Sequence, residues 1–507
     1  VKAGSAGAYL LSGGRITHVP AMDVEVADST GAGDAFCGGL AAGIARGLSA
    51  RESVGLGAAV AGTAITGSGS LRLLQSGHDR AAIAAAGRRL AAASTEIRSP
   101  ARPQLGRPAA ASAAPAREPT PAQAGETAAA QPAVPVPGED RRYDIDVMRR
   151  EIMTIPDVIS DVLDDAEGQI TALAKRLAAR GIRHLWLTGC GDSAFAGQAA
   201  ELAFLRHAPI AAHPIHALDL ARYQVRRLPS GSAVIAASFS GKAGRTIEAA
   251  IQAHRAGHHV IAMTNAPASD LALACRETLQ LDVPTLGFSP GTSSYVAMLC
   301  TLLRLAAELA QLAGGSGLTG ELSRLPGQVE TTLRQTADVA GLAARALLPA
   351  PWIAFLGAGP NEATARFGAA KLFEGPQLLG VATNLEEWAH EQYFVTSAGD
   401  PVVLVNPSGA GHDRGLEILS ELRFVGACPV VLSDRPPPAP EAAGELLLPL
   451  APGVAEELSP VTACLPLALA GFHLARLAGK RSYNFPSDAA RDEHYQTIHR
   501  ATIGEPA

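Results

Sequence analysis

Ser238-Phe239-Ser240-Gly241-Lys242-Ala243-Gly244-Arg245-Thr246 is the stretch on which the reading of this chain turns. An apolar run, Ala233 to Ala237, leads into it, and a helical pattern from about Thr246 to Ala256 leads out. The pattern is strand, small hydroxyl-rich turn, helix. Ser238 and Ser240 offer hydroxyls, and Gly241 lets the backbone approach a ligand closely. The helix start adds unpaired N–H groups and a partial positive charge, so the turn suits a phosphate. Gly/Ser-rich turns also serve chain reversal alone, so the surroundings must decide.

Outward from this turn, residues 143–507 alternate strand-like and helix-like segments. Strands are expected at His184–Thr188, Ala233–Ala237, His259–Thr264 and Leu279–Val283. A second set is expected at Trp352–Leu356, Gly380–Thr383, Val402–Val405, Pro429–Leu432 and Glu445–Leu450. Such alternation predicts parallel sheets with helices on both faces. The sets read as two copies of one unit. His184-Leu185-Trp186-Leu187-Thr188-Gly189-Cys190-Gly191 parallels Pro351-Trp352-Ile353-Ala354-Phe355-Leu356-Gly357-Ala358-Gly359, each an apolar strand ending in a Gly-x-Gly turn. Neither extends to G-x-G-x-x-G, which argues against a dinucleotide site.

Toward the N-terminus the texture changes twice. From Ser99-Pro100-Ala101-Arg102-Pro103 to Pro137-Gly138-Glu139-Asp140 the chain is Ala/Pro-rich, with almost no aromatic or large aliphatic residue. It cannot offset ordering entropy by burial and reads as a disordered tether. Before it, strands are expected at Ala8–Leu11, Ile16–Val19 and Val24–Ala27, and helices at about Asp34–Gly47, Ala50–Thr66 and Arg80–Ala93. The chain opens on Val1, and the expectation is that it begins inside a domain.

Composition sets further bounds. With 507 residues, 47% of them hydrophobic, the chain is long enough for two to four domains with ample core. A net charge of −6 argues against a general nucleic-acid binder. Cys37, Cys190, Cys275, Cys300, Cys428 and Cys464 form no CxxC pair, so neither a zinc site nor a disulfide framework is suggested, and a cytoplasmic setting is expected. Arg304 and Glu308 interrupt the most apolar helix, and no membrane span is expected.

Asp28-Ser29-Thr30-Gly31-Ala32-Gly33-Asp34-Ala35-Phe36 resembles the second signature of the ribokinase-like (PfkB-type) carbohydrate kinases, a likeness running from Val1 to about residue 95. It implies an anion hole at Gly31, Ala32 and Gly33, with Asp34 taking the proton of a sugar hydroxyl. It implies ATP and Mg²⁺ as cofactors where the domain is complete. The family's sugar-recognition half precedes this signature and is absent from the sequence, so no kinase activity is expected of the chain alone.

From about Tyr143 onward the chain resembles the sugar isomerase (SIS) superfamily, nearest the isomerase half of glutamine–fructose-6-phosphate aminotransferase, with deglycases and amino-sugar deaminases close by. The stretch from Met148-Arg149-Arg150-Glu151-Ile152 to Pro156 resembles the lead-in helix. Gly189-Cys190-Gly191-Asp192-Ser193 resembles the first-strand turn, Ser238-Phe239-Ser240-Gly241 the sugar-phosphate loop, and Pro290-Gly291-Thr292-Ser293-Ser294 a ligand-facing turn. The resemblance thus implies phosphosugar binding by Ser193, Ser238, Ser240, Gly241, Thr292 and Ser293. The family's Lys-x-x-Glu falls on Lys371-Leu372-Phe373-Glu374 and its ring-opening histidine on His390. By resemblance Glu374 shuttles a proton between C1 and C2, with Lys371 beside it at i, i+3. His390 would act from a neighbouring subunit, so a homodimer is implied. No cofactor or metal is implied for this part, and no glutaminase domain is visible.

The expected class is therefore α/β: a partial ribokinase-like domain (residues 1–95), a disordered Ala/Pro linker (96–142), then two flavodoxin-like parallel-sheet SIS subdomains (143–330 and 331–507). The expected activity is isomerisation, deamination or deglycation of a phosphorylated sugar or amino sugar. A non-catalytic phosphosugar sensor is the alternative, and a scaffold with both sites dead a second. The departures bear on this choice. Ala243 replaces a common Thr after the serine turn, and no lysine follows Lys480, so the tail has none for a Schiff base. Asp192 stands where a neutral Thr is common, and a carboxylate there would repel phosphate. It is left to cap the helix or to meet sugar hydroxyls or an amino group. With Glu386 and Glu387 nearby, an amine-bearing substrate is favoured.

Overall fold

A computed structural model describes residues 6–12, 15–24, 26, 32–66, 80–97, 144–165, 168–315, 318–437, 445–479, 488–498, 500 and 503. The chain divides into two compact units, Val1–Ala128 and Ala129–Ala507. The Ala/Pro-rich tract from Ser99 to Asp140, expected to be a disordered tether, lies outside the described residues.

In the first unit, β1 (Ala8–Ser12), β2 (Arg15–Val19) and β3 (Thr95–Ile97) form an antiparallel sheet in the order β1-β2-β3. Helices α1 (Ala32–Ala45), α2 (Ala50–Ala64) and α3 (Arg80–Ala92) accompany it. A capping box starts α2: Ser49 Oγ accepts from the Glu52 N–H, and Glu52 accepts from the Ser49 N–H. Small residues let α2 and α3 touch, since a Cβ on Gly55 would stand 2.4 Å from the Gly87 carbonyl. The strand expected at Val24–Ala27 is not formed by its described residues, Val24 and Val26. Its place beside β2 is taken by β3, which returns from the far end of α3.

The second unit opens with α4 (Ile145–Asp164) and α5 (Gln169–Ala179). Met148, Ile152, Ile155 and Ile159 recur at spacings of three and four and bury one face of α4. Five parallel strands follow: β4 (His184–Gly189), β5 (Ala211–His216), β6 (Ser232–Ala237), β7 (His259–Thr264) and β8 (Glu277–Gln280), in the order β5-β4-β6-β7-β8. Helix α6 (Asp192–His207) leaves β4, α7 (Gly244–Arg255) leaves β6, and α8 (Ser293–Leu312), α9 (Thr319–Thr336) and α10 (Val339–Leu347) lead onward. The second sheet repeats the plan with β9 (Trp352–Gly357), β10 (Leu379–Asn384), β11 (Pro401–Val405), β12 (Cys428–Ser433) and β13 (Leu446–Pro449), ordered β10-β9-β11-β12-β13. Its helices are α11 (Pro360–Glu374), α12 (Leu385–His390), α13 (His412–Phe424) and α14 (Ser459–Ala478), with α15 (Asp488–Ile498) beyond. These are two flavodoxin-like α/β halves, each with its first and third strands adjacent.

Alternation along the strands divides the apolar residues between layers. In β6, Ala233, Ile235 and Ala237 join a core shared by both halves, while Val234 and Ala236 face an outer layer. In β11, Val403 and Val405 point inward, while Val402 and Leu404 pack outward with Trp388.

Two strands departed from expectation. β5 carries Pro214 and two histidines at a sheet edge, where a missing N–H is tolerated, so no apolar run announced it. β8 ends at Gln280, before the expected Val283, although Leu281 and Val283 are buried. The Asn265 carboxamide bonds both backbone groups of Val283 there, replacing a strand. Two helical stretches, Ser293–Leu312 and Glu456–Ala478, are long and apolar enough to cross a membrane, contrary to the expectation that none would be. Their apolar windows are 83% and 94% buried within the fold, so they serve as core helices. Arg304 and Glu308 pair with each other at 2.7 Å.

Candidate functional site

Open α/β sheets bind ligands at the carboxyl ends of the strands where strand order reverses, here between β4 and β6. The turns meet closely: a Cβ on Gly189 would lie 2.7 Å from the Ser193 Cβ and 3.0 Å from the Ala237 carbonyl. Gly241 has φ +65°, and a Cβ there would strike the Ser269 hydroxyl, so only glycine suits the position. Ser238 is buried and Ser240 is exposed at the lip. No side chain caps the start of α7, where Ala243 is the N-cap. A helix start of this kind suits an anion. Ser193 turns away, its hydroxyl donating to Met298 Sδ at 3.4 Å.

The equivalent turn of the second half, Asn406-Pro407-Ser408-Gly409, is filled from inside. The Ser408 N–H and hydroxyl both donate to Asp434, at 2.6 and 2.8 Å. The Ala410 N–H donates to Glu456 Oε1 at 2.9 Å, and Arg206 donates to the other oxygen of Glu456. Carboxylates therefore stand where an anion would bind. Among the described residues, no carboxylate bonds the first turn in this way.

Beside the first turn lies a buried lysine. Lys371, in the last turn of α11, is 0% exposed. Its ammonium donates to Asp192 Oδ2, the Gly291 carbonyl and Glu374 Oε2, each at 2.8 Å, which uses all three N–H bonds. It also lies 4.7 Å from the Phe367 ring centre, and Phe367 stacks on Tyr295. Burial lowers the pKa of Lys371, but Asp192 and Glu374 outweigh it and the net shift is upward, so the ammonium persists. Two carboxylates share this one cation. Burial pushes Glu374 up to about 7, Lys371 opposes that rise, and the Asp192 charge adds to it. Glu374 is thus poised to give or take a proton near neutrality, and its side chain is 40% exposed.

Asp192 neither caps α6, whose N-cap is Gly191, nor stands as an uncompensated charge. Of the readings open for Asp192, the helix cap is the one the structure does not form. Its Oδ1 has no hydrogen-bond partner among the described residues, and neither do the buried hydroxyls of Thr188, Thr292 and Tyr295. Unsatisfied buried polar groups are rare and mark places where a ligand or water completes the set. Ser293, which follows Thr292, is buried as well.

His390 ends α12 with its side chain 76% exposed, and its polar contact is Glu386 at 3.7 Å. Among the described residues no hydrogen bond or ion pair joins it to Lys371 or Glu374. In the first unit, Ala32 and Gly33 open α1, whereas Gly31 and the side chain of Asp34 lie outside the described residues. No metal-binding cluster occurs among the described residues.

Glu151 belongs to the lead-in helix and carries no site role in the sequence motifs. It is buried, and burial pushes it up to about 7. A charged residue three positions from Met148 on an apolar stripe was the available signal. Two acids raised from 4.5 make the native state bind more protons than the unfolded chain. Their stabilising contribution is complete below about pH 4.5 and is lost as pH rises through about 7. Urea melts between about pH 5.5 and 8 should show this decline, and Glu151→Gln should flatten it.

Residues 180–308 match the SIS domain family, and residues 1–76 match the pfkB family of carbohydrate kinases. Glutamine–fructose-6-phosphate aminotransferase [isomerizing] of Thermococcus kodakarensis is 29% identical over 340 residues, 66% of this chain and 55% of that protein. Its counterpart in Pyrococcus horikoshii is 28% identical over 336 residues, again 66% and 55%. The chain thus spans about half the length of the curated relatives it matches. In fold it is similar to the C-terminal domain of glucosamine-fructose-6-phosphate aminotransferase from Francisella tularensis, with a TM-score of 0.60 at 21% identity, covering 67% of this chain and 98% of that one. It is also similar to glucosamine-6-phosphate deaminase from Thermotoga maritima, with a TM-score of 0.51 at 16% identity, covering 68% and 97%. The chain therefore joins a segment that matches the pfkB carbohydrate-kinase family, at residues 1–76, to one that matches the SIS domain family, at residues 180–308, within a double α/β unit similar in fold to the C-terminal domain of such an aminotransferase.

Proposed function

We propose that the second unit is a phosphosugar enzyme that moves a proton between C1 and C2 of a phosphorylated sugar or amino sugar. Isomerisation, deamination and deglycation all pass through this chemistry. The observation that carries the reading is the buried Lys371 shared by Asp192 and Glu374, which leaves Glu374 near neutrality. An acid/base group is most effective when its pKa lies near the working pH. The phosphate sits on Ser238, Ser240, Gly241 and the start of α7, and Thr292 and Ser293 meet the sugar with the free oxygen of Asp192. Glu374 takes the proton from one carbon, an enediol forms, and the same carboxyl returns the proton to the neighbouring carbon. Lys371 holds Glu374 in place. His390 assists ring opening in the site of a second copy, which its exposure permits. The kinase-like segment belongs with an activity that supplies the phosphorylated substrate.

Mass spectrometry of products from a panel of phosphorylated ketoses, amino sugars and fructosamines tests this reading. Binding without any product would favour the alternative, a non-catalytic sensor. The phosphate seat has its own test. Ser238→Ala with Ser240→Ala should weaken phosphosugar binding by about 1–3 kcal/mol per lost bond. Calorimetry should count one phosphosugar per chain and little affinity for the unphosphorylated sugar. Two sites per chain would mean that the second turn opens, and equal affinity for both sugars would remove the phosphate from the argument.

A further inference from the structure

Asp144, Val147 and Glu151 follow one another at spacings of three and four, on one face of α4 and its cap. All three meet the strap of residues 287–292. The Asp144 N–H donates to the Phe288 carbonyl at 3.1 Å. The Val147 side chain fills the space where a Cβ on Gly287 would stand, 2.8 Å away. The Ser289 hydroxyl donates to Glu151 Oε2 at 3.3 Å. Two residues further on, the Gly291 carbonyl accepts from Lys371, and Thr292 opens α8 with its buried hydroxyl unpartnered.

We propose that Glu151 is a positioning residue for the Lys371–Glu374 pair: it seats the strap that presents the Gly291 carbonyl to Lys371, and Glu374 feels its charge across that lysine. The inference rests on the reading of Glu374 as the acid/base group.

Burial holds Glu151 up at about 7, opposed by the Ser289 hydroxyl and by the charges of Lys371 on α11 and Arg150 on its own helix. The other helices against α4 keep their charges occupied elsewhere. On α14, Arg476 sits on Asp146, at 2.8 Å, and burial, with the charges of Arg149 and Arg476, holds His473 low. On α8, Arg304 pairs with Glu308, and on α9, Arg324 pairs with Glu321 and Arg334 with Glu330. Ionised, Glu151 becomes a third carboxylate around one ammonium. On this proposal an ionised Glu151 opposes the ionisation of Glu374 through that ammonium, as one carboxylate opposes another.

The test uses the full chain with Glu151→Gln, which keeps an acceptor for Ser289 but cannot ionise, and Glu151→Ala, which loses both. Carboxyl-carbon NMR, with the Glu374 signal assigned through Glu374→Gln, reads the pair without turnover. In Glu151→Gln the Glu374 midpoint should fall by about half a pH unit or more, since a like charge has been removed. Exchange of solvent hydrogen into the substrate should show the same displacement of its acid limb. Glu151→Ala should lower kcat about tenfold, with KM moved much less, because the strap loses its seat. An unchanged Glu374 midpoint in Glu151→Gln would overturn the proposal, whatever Glu151→Ala does. Should the unsubstituted protein turn over no phosphosugar, the acid/base reading fails while the NMR titration still decides this one.

Discussion

Glu374→Gln is expected to abolish exchange of the C1 and C2 hydrogens of a phosphosugar with solvent, a loss of about 10²–10⁴-fold, while binding of the same sugar changes little. The carboxamide keeps the shape of the side chain and its acceptor for Lys371, but it cannot take a proton. The phosphate seat belongs to another turn, at the end of β6, and is untouched by the change. His390→Ala should also lose activity. Mixing the two inactive variants should restore part of it, because a mixed dimer contains one site with an intact Glu374 and an intact His390 from the other copy. If subunits exchange and nothing returns, His390 acts in its own chain or not at all. If Glu374→Gln exchanges hydrogen at the unsubstituted rate, the base lies elsewhere, with Glu387 the next residue to replace.

The second large effect is on stability. Lys371→Met should cost about 3–5 kcal/mol in chemical denaturation, because it leaves buried acceptors with no cation. Asp192 Oδ2 and the Gly291 carbonyl both lose their hydrogen-bond partner, and the strap that carries Gly291 loses its tie to α11. Glu374, being partly exposed, escapes by protonation. The loss should therefore shrink when Asp192→Asn is added, since the uncompensated charge is then gone. Asp192→Asn alone should move the Glu374 ionisation to lower pH, because the Asp192 charge helps to raise it. A Lys371→Met protein as stable as the parent would mean that the three contacts contribute nothing net.

The expectations that succeeded share a local cause. Strand β6 was legible because five small or branched apolar residues precede a Ser/Gly turn. The pairing of Lys371 with Glu374 followed from i, i+3 spacing on one helix, and the structure places their polar atoms 2.8 Å apart. Both likenesses rested on contiguous motifs, and residues 1–76 and 180–308 match the families they named. The expectations that failed depended on neighbours distant in sequence. β5 had no apolar run because only one of its edges is paired, with β4. Val283 had the composition of a strand residue, yet a side chain took its hydrogen bonds.

Taken alone, the amino-acid sequence determined the alternating α/β order, the duplication of the unit and the place of the serine turn proposed as the phosphate seat. Each is written within some ten to twenty residues, where helical and strand periods and turn chemistry operate. Only the tertiary structure decided which of two equivalent turns stays open, because Asp434 and Glu456 reach the second from other segments. It alone set Asp192 against Lys371, 179 residues away, by packing α6 on α11. The charge state of Glu374 follows from that packing. A carboxyl at the end of a helix is an ordinary acid until partial burial weakens its hydration, a second carboxylate competes for the same ammonium, and its pKa rises toward neutrality.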